Sequence, residues 1–177
     1  MDCTIDTETL GTYFDSVILS VGAVKFDPKG EQEPHSPFYL KLDTDFQIEQ
    51  LGRTVNESTM EWWAKQDHSL IDETFSDDDR VYPIEFIKEF NRYVVGCDNY
   101  WAQGAVFDFA ILEHLYKNMG IPFPINYWAC RDSRTLFKLM PSDPRHKMND
   151  NAHNALSDAY YQSIAIQKCY AHFGLSV

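Results

Sequence analysis

The sequence predicts an α/β fold with a mixed β-sheet, and three observations carry that expectation. Three strand-like segments come first, joined by turn chemistry that makes an antiparallel meander, and helical segments alternate with shorter apolar ones afterwards. The third is size: 177 residues with 44% hydrophobic and 15% aromatic content can bury a substantial core as a single domain over residues 1–177. No disulfide or structural metal is needed for that.

Residues 1 to 8 read as the first strand. Side chains alternate along a strand, so Cys3 and Ile5 point one way while Asp6 and Glu8 share the other face. Ser16 to Phe26 (SVILSVGAVKF) is a second strand, long and mostly apolar; Asp27 to Gly30 supplies a turn, and Pro37 to Leu42 reads as the third. A helix is expected at STMEWWAKQ, residues 58 to 66, where Ser58 and Glu61 have capping-box spacing. Asp77 to Asp79 reads as a solvated acidic loop. Pro83 suits the first turn of PIEFIKEFNRYVV, in which Ile87, Phe90 and Val94 form an apolar stripe opposite Glu85, Lys88, Glu89 and Arg92. A short strand from Tyr100 to Gln103 leads into the helix VFDFAILEHLYKNMG, stopped by Gly120. The apolar segment Ile125 to Cys130 precedes a short helix near Arg134 to Met140. The loop PSDPRHKMNDN ends that helix, and a helix from about Ala155 to His172 closes the chain.

A formal charge of −12 works against a nucleic-acid partner, because phosphate binding normally leaves a basic footprint. Bound cations or a local basic rim would have to answer that. Cys3, Cys97, Cys130 and Cys169 are scattered without a CxxC pair and read as reduced core cysteines. No apolar run is long enough to span a bilayer, and the first residues have neither the basic nor the apolar region of a secretory signal; a cytoplasmic protein without a membrane partner is expected. P-loop, GxGxxG, HExxH and GxSxG patterns are all missing. A homodimer is compatible with the sequence but does not follow from it.

The carboxylates carry the chemistry. Asp6 and Glu8 on one strand face repel each other, so either the strand ends in water or the pair awaits a cation. Asp108 falls on one helical stripe with Ile111, Leu112, Leu115 and Met119, which should face the sheet; Asp158 shares a face with Ala155, Tyr161, Ala165 and Cys169. Uncompensated burial of either acid would be costly. Taken singly, Asp108 could partner its helix dipole and Asp158 a backbone amide. Four acids meeting at one end of the sheet would instead suit two Mg²⁺ or Mn²⁺ ions, held about 3.5–4 Å apart in such sites. His153, in HNALSD, lies five residues before Asp158 and is a candidate general base.

In order, Asp6-Thr7-Glu8-Thr9, Phe107-Asp108 and the His153 to Asp158 pair resemble the three motifs of the DEDD 3′–5′ exonucleases of the ribonuclease H-like superfamily, in their histidine-bearing DEDDh branch. Spacing and element types agree from residue 1 to about 172, and Asn154 stands where the other branch has a tyrosine. STMEWWAKQ looks more like the phage exonuclease A and mycobacterial exoribonuclease-like group than like polymerase proofreading subunits. One departure is Gln103-Gly104-Ala105-Val106, where the family often has an asparagine before Phe-Asp.

The resemblance implies a ribonuclease H-like mixed sheet with flanking helices, and metal-dependent hydrolysis of terminal phosphodiesters at single-stranded 3′ ends. Single-stranded DNA is the preferred substrate and nucleoside 5′-monophosphates the products; an exoribonuclease of the same fold is the alternative. A non-catalytic module that binds nucleic-acid ends or protein is the rival class. The resemblance also implies two Mg²⁺ ions, with Mn²⁺ as a substitute, on Asp6, Glu8, Asp108 and Asp158, with Asp6 bridging and His153 as base. Thr9 and Leu10 are then expected at the terminal nucleotide, Leu10 as a wedge against its base. From the residues themselves, Trp62 and Trp63 are candidates to stack bases, although such a pair on a helix more often has at least one member in the core; Arg145 and Lys147, with Arg131 and Arg134, are a candidate basic rim, with ordinary surface charge as the alternative.

Overall fold

The structure is a computed structural model, and it describes residues 1–145 and 153–175. Strands β1 (Asp2–Thr9), β2 (Ile18–Phe26) and β3 (His35–Leu42) form the antiparallel meander. The two-residue β4 (Arg80–Val81) pairs parallel to β3, while β5 (Asn99–Ala102) and β6 (Cys130–Asp132) continue the sheet in parallel beyond β1. The order β4-β3-β2-β1-β5-β6 places β1 in the interior of the sheet. Helices are α1 (Thr44–Glu49), α2 (Glu57–Trp63), α3 (His68–Phe75), α4 (Pro83–Tyr93), α5 (Ala105–Asn118), α6 (Ser133–Lys138) and α7 (Ala155–His172).

Both faces of the sheet are covered. Cys3 and Ile5 of β1 pack with Phe86 and Phe90 of α4 and with Ile111, Leu112 and Leu115 of α5. Phe26 and Trp101 meet Phe137 of α6 and Ala165, Ile166 and Cys169 of α7 on the other side. Each large side chain buried in these layers contributes roughly 1.5–3 kcal/mol. A third cluster, Leu10, Val17, Leu19, Trp63 and Leu70, ties α2 and α3 to the beginning of β2. Among the described residues no helix is long and apolar enough to cross a membrane.

Several local expectations are corrected. Helix α2 starts at Glu57, and its cap is Asn56, which has extended φ/ψ and accepts a hydrogen bond from Ser58 N at 3.0 Å; Ser58 lies inside the helix. Helices α1 and α3 were not expected. Asp43 caps α1 by accepting from Phe46 N at 2.7 Å, and the one buried side chain of that helix is Gln47. Gln47 Nε2 donates to Ile18 O at 2.8 Å and its Oε1 accepts from Ile18 N at 2.9 Å, so an amide replaces a strand neighbour at the start of β2. The segment Ile125 to Cys130 divides. Ile125 is buried, whereas Tyr127 and Trp128 project from a 3₁₀ turn at 83% and 63% exposure.

The buried face of α7 also differs from the expected one. It comprises Ala155, Ala159, Gln162, Ser163, Ala165, Ile166 and Cys169, with Asp158 and Tyr161 at its border. The reason is how closely α7 approaches β1 and β2. Ser163 Oγ donates to Thr4 Oγ1 at 2.7 Å, and a Cβ on Gly22 would lie 2.2 Å from the carbonyl carbon of Ala155.

Candidate active site

Alternation along β1 buries Ile5, Thr7 and Thr9 and leaves Asp6 and Glu8 partly exposed on the α7 side. Asp6 lies opposite Gly22 of β2 and Glu8 opposite Ser20. Asp108 arrives from the first turn of α5 and is 4% exposed; its Oδ1 accepts from Thr7 N at 3.1 Å and from Thr7 Oγ1 at 2.8 Å. Those two bonds fasten α5 to β1. The start of α5 is set by Gly104 at φ +110° and by Ala105 N, which donates to Asp132 Oδ2 at 2.9 Å. Asp158 lies in the first turn of α7, whose cap is Asn154, accepting from Ser157 N at 3.0 Å. His153 N donates to Asp158 Oδ2 at 2.8 Å, so the backbone of one candidate orients the side chain of the other.

These elements enclose a cleft of about 420 Å³ lined by Asp6, Glu8, Asp108, His153 and Asp158. Ligand atoms of Glu8, His153 and Asp158 lie within 4.8 Å of one another. Electrostatics push the acids toward protonation. Burial, then the neighbouring carboxylates Asp108, Glu8 and Asp158, raises Asp6 well above the ordinary range. Burial and then Asp158 and Asp108 raise Glu8 in the same way. Burial lifts Asp108 to about 7 even though the Thr7 hydrogen bonds oppose it. A carboxylate-rich cleft in which protons are held this tightly suits a hard divalent cation, which would displace them and satisfy the oxygens.

The residues expected around the acids divide into two groups. Arg145 and Arg134 line the cleft; Arg134 Nη2 donates to Gln103 O at 3.1 Å, and Arg145 hydrogen-bonds the Gln103 side chain and pairs with Asp143 at 2.7 Å. Thr9 and Trp62 line an adjoining recess of about 440 Å³ that shares Thr7, Glu8 and Phe107 with the cleft. Leu10 is corrected: it is 6% exposed and packs with Val17 and Leu19, leaving no surface for a wedge. Trp63 is corrected as a stacking surface. It is 2% exposed, and its indole N–H donates to Thr9 O at 3.0 Å. Arg131 turns to its own turn, donating to Trp128 O at 2.6 Å. Lys147 lies outside the described residues.

Sequence reasoning passed over Gly22, whose missing side chain admits α7, and Gln103, which joins both arginines. A glycine inside the apolar run SVILSVGAVKF was the available signal for the first. Gln103 had none beyond its place before Phe107-Asp108.

Fold and cleft together set four carboxylates and a histidine at one end of a mixed six-stranded sheet flanked by helices, the arrangement expected from the resemblance of the three motifs. The family model of the Rv2179c-like 3′–5′ exoribonuclease domain matches residues 1–170, and the chain belongs to that family. The exodeoxyribonuclease of Enterobacteria phage T4 is 27% identical over 157 residues, spanning 76% of this chain and 69% of the phage protein. Exonuclease X, solved in complex with 5′ overhanging duplex DNA, superposes with a TM-score of 0.62 at 18% identity, over 98% of this chain and 93% of its own. S. pombe Pop2p in its Mg²⁺- and Mn²⁺-bound form gives 0.67 at 13% identity, over 99% and 85%. The nuclease domain of 3′hExo, a DEDDh family member bound to rAMP, gives 0.59 at 11%, over 99% and 94%. At these identities the solved structures speak to the fold.

Proposed function

We propose that this chain is a divalent-metal-dependent 3′–5′ exonuclease that removes nucleoside 5′-monophosphates one at a time from single-stranded 3′ ends. The observation that carries the reading is the convergence of Asp6, Glu8, Asp108, His153 and Asp158 on one cleft. A structural role leaves these groups unexplained, because carboxyls raised by burial, and in Asp6 and Glu8 by neighbouring carboxylates as well, destabilise a fold unless something binds them. Asp6, Glu8, Asp108 and Asp158 would hold two Mg²⁺ ions, or Mn²⁺ in their place, with Asp6 between the two positions. Bound there, divalent ions supply charge neutralisation and Lewis acidity toward the phosphodiester. The metal-bound form of Pop2p supports the assignment by analogy of fold.

His153 would serve as the general base; a nitrogen of its ring lies within 4.8 Å of carboxylate oxygens of Glu8 and Asp158, which supports that role. The imidazole accepts a proton from the attacking water as the new P–O bond forms and the P–O3′ bond breaks. Phosphate that is not neutralised within the cleft faces Arg134 and Arg145, so the basic rim is local on an otherwise acidic molecule. The reduced cysteines suit the cytoplasmic placement expected from the sequence.

DNA is the first substrate to test, on the strength of the phage exodeoxyribonuclease, and RNA the second, on the strength of the family description. Matched DNA and RNA oligonucleotides, each with a free or blocked 3′ end, decide between them in the presence of Mg²⁺. Digestion should begin only at free 3′ ends and stop on chelation. Asp6→Asn should be the most damaging single change, and full activity in that variant would sink the two-metal assignment.

A further inference from the structure

His153 occupies an unusual backbone position. Its φ is +69°, a left-handed conformation that L side chains rarely adopt, so the surrounding contacts must hold it. Its N–H is committed to Asp158. Its ring lies 4.8 Å from that of Trp62, at an interplanar angle of 89°. Trp62 in turn packs at 5.0 Å and 76° on Trp63, and Trp63 is fastened to Thr9 O at 3.0 Å, one residue beyond Glu8. The contacts therefore run from the end of β1 through two indoles to the imidazole and on to Asp158. A second tie lies beside them: Asn154, while capping α7, donates through Nδ2 to Glu73 Oε1 of α3 at 2.7 Å.

We propose that Trp62 is a positioning residue that holds the His153 imidazole toward Glu8 and Asp158, and that the Glu73–Asn154 pair steadies the turn carrying it. This rests on the exonuclease reading and deepens it. Trp62 had been expected only as a stacking surface for substrate bases. At 40% exposure it keeps some surface free, but its perpendicular packing on His153 engages the ring with the base itself. An imidazole on an isolated turn would sample rotamers of which few point at the water to be deprotonated; an adjoining indole removes most of them. The segment from α2 to α3 thus acts on the chemistry through His153 rather than by touching substrate.

The test compares Trp62→Ala, Trp62→Phe, Glu73→Ala and His153→Ala with the parent on a short single-stranded oligonucleotide in Mg²⁺, and records the histidine ring-proton resonances of each metal-free protein. Trp62→Ala should lose about 10-fold in kcat while KM stays within about 2-fold, and Trp62→Phe should recover most of the loss. Glu73→Ala should move kcat in the same direction by a smaller factor. The resonances that disappear in His153→Ala, displaced in the parent by the indole ring current, should shift toward their unstructured positions in Trp62→Ala. A raised KM with unchanged kcat would assign Trp62 to base stacking and overturn the proposal, as would unmoved His153 resonances. Parental turnover in Trp62→Ala alongside lost turnover in His153→Ala would overturn positioning alone. Parental turnover in His153→Ala would remove the base assignment beneath it.

Discussion

Asp108 shows how one carboxylate can be both a fastener and a candidate ligand. One oxygen takes two hydrogen bonds from Thr7, which fixes α5 on β1, and burial still keeps its proton affinity near neutrality at about 7. His153 differs, because its backbone rather than its ring is bonded to Asp158. His153→Ala therefore keeps the amide that orients Asp158 and all four carboxylates. Affinity for metal and for single strands is expected to persist while turnover falls about 10²–10⁴-fold, with partial recovery as pH is raised. Calorimetric titration with Mn²⁺ on the same preparation checks the first half. Since the His153 ring lies within 4.8 Å of Glu8 and Asp158 ligand atoms, a matching loss of Mn²⁺ affinity would make it a ligand instead of a base.

Between elements, the closest approach that matters is α7 on β2. A Cβ at Gly22 would lie 2.2 Å from the Ala155 carbonyl carbon and the Leu156 nitrogen, and backbone atoms cannot rotate aside. Gly22→Ala should cost about 1–3 kcal/mol and lower turnover by more than the folded fraction explains, because Asp158 and His153 ride on the displaced end of α7. A variant with normal turnover per folded molecule would separate this contact from the site. Elements with long periodic patterns were legible beforehand: the β1 to β3 meander, α4 with its Ile87, Phe90 and Val94 stripe, and α5 with Asp108 on its inner face. Helix α1 was not, because six residues show too little period and its buried member is the polar Gln47. Leu10 was expected at the terminal base only through the family resemblance; it packs with Val17 and Leu19 just beyond the register shift between Glu8 and Thr9. The four acids and His153 could be picked out because their types and order are chemically unusual, whereas Trp62's neighbour His153 is remote in sequence and only the fold brings them together.

Across the whole molecule, the acidic cleft should set how stability depends on pH. Asp108 binds its proton more tightly in the folded chain, at about 7, than at its ordinary value of 3.8, and Asp6 and Glu8 are displaced in the same direction. Between those limits the folded state carries more protons than the unfolded one, so stability is full below about pH 4 as far as these groups decide it and declines as pH rises through 7. Asp143 works in the opposite sense. Hydrogen bonds from Arg145, chiefly, hold it down to about 2, so its contribution is lost only as pH falls from its ordinary value toward 2. Metal-free protein is therefore expected to melt at a lower temperature at pH 8 than at pH 5, by about 2–8 °C if the cleft acids contribute about 1–2 kcal/mol. Saturating Mg²⁺ should reverse that slope, since a cation that binds only the folded state competes with protons and gains most where they have left. Thermal melts at pH 5, 6, 7 and 8, with chelator and with Mg²⁺, measure both trends at once. A chelated protein that grows more stable from pH 5 to 8, or one whose melting temperature ignores Mg²⁺ at pH 8, would show that the carboxylates do not strain the fold and that no cation is awaited there.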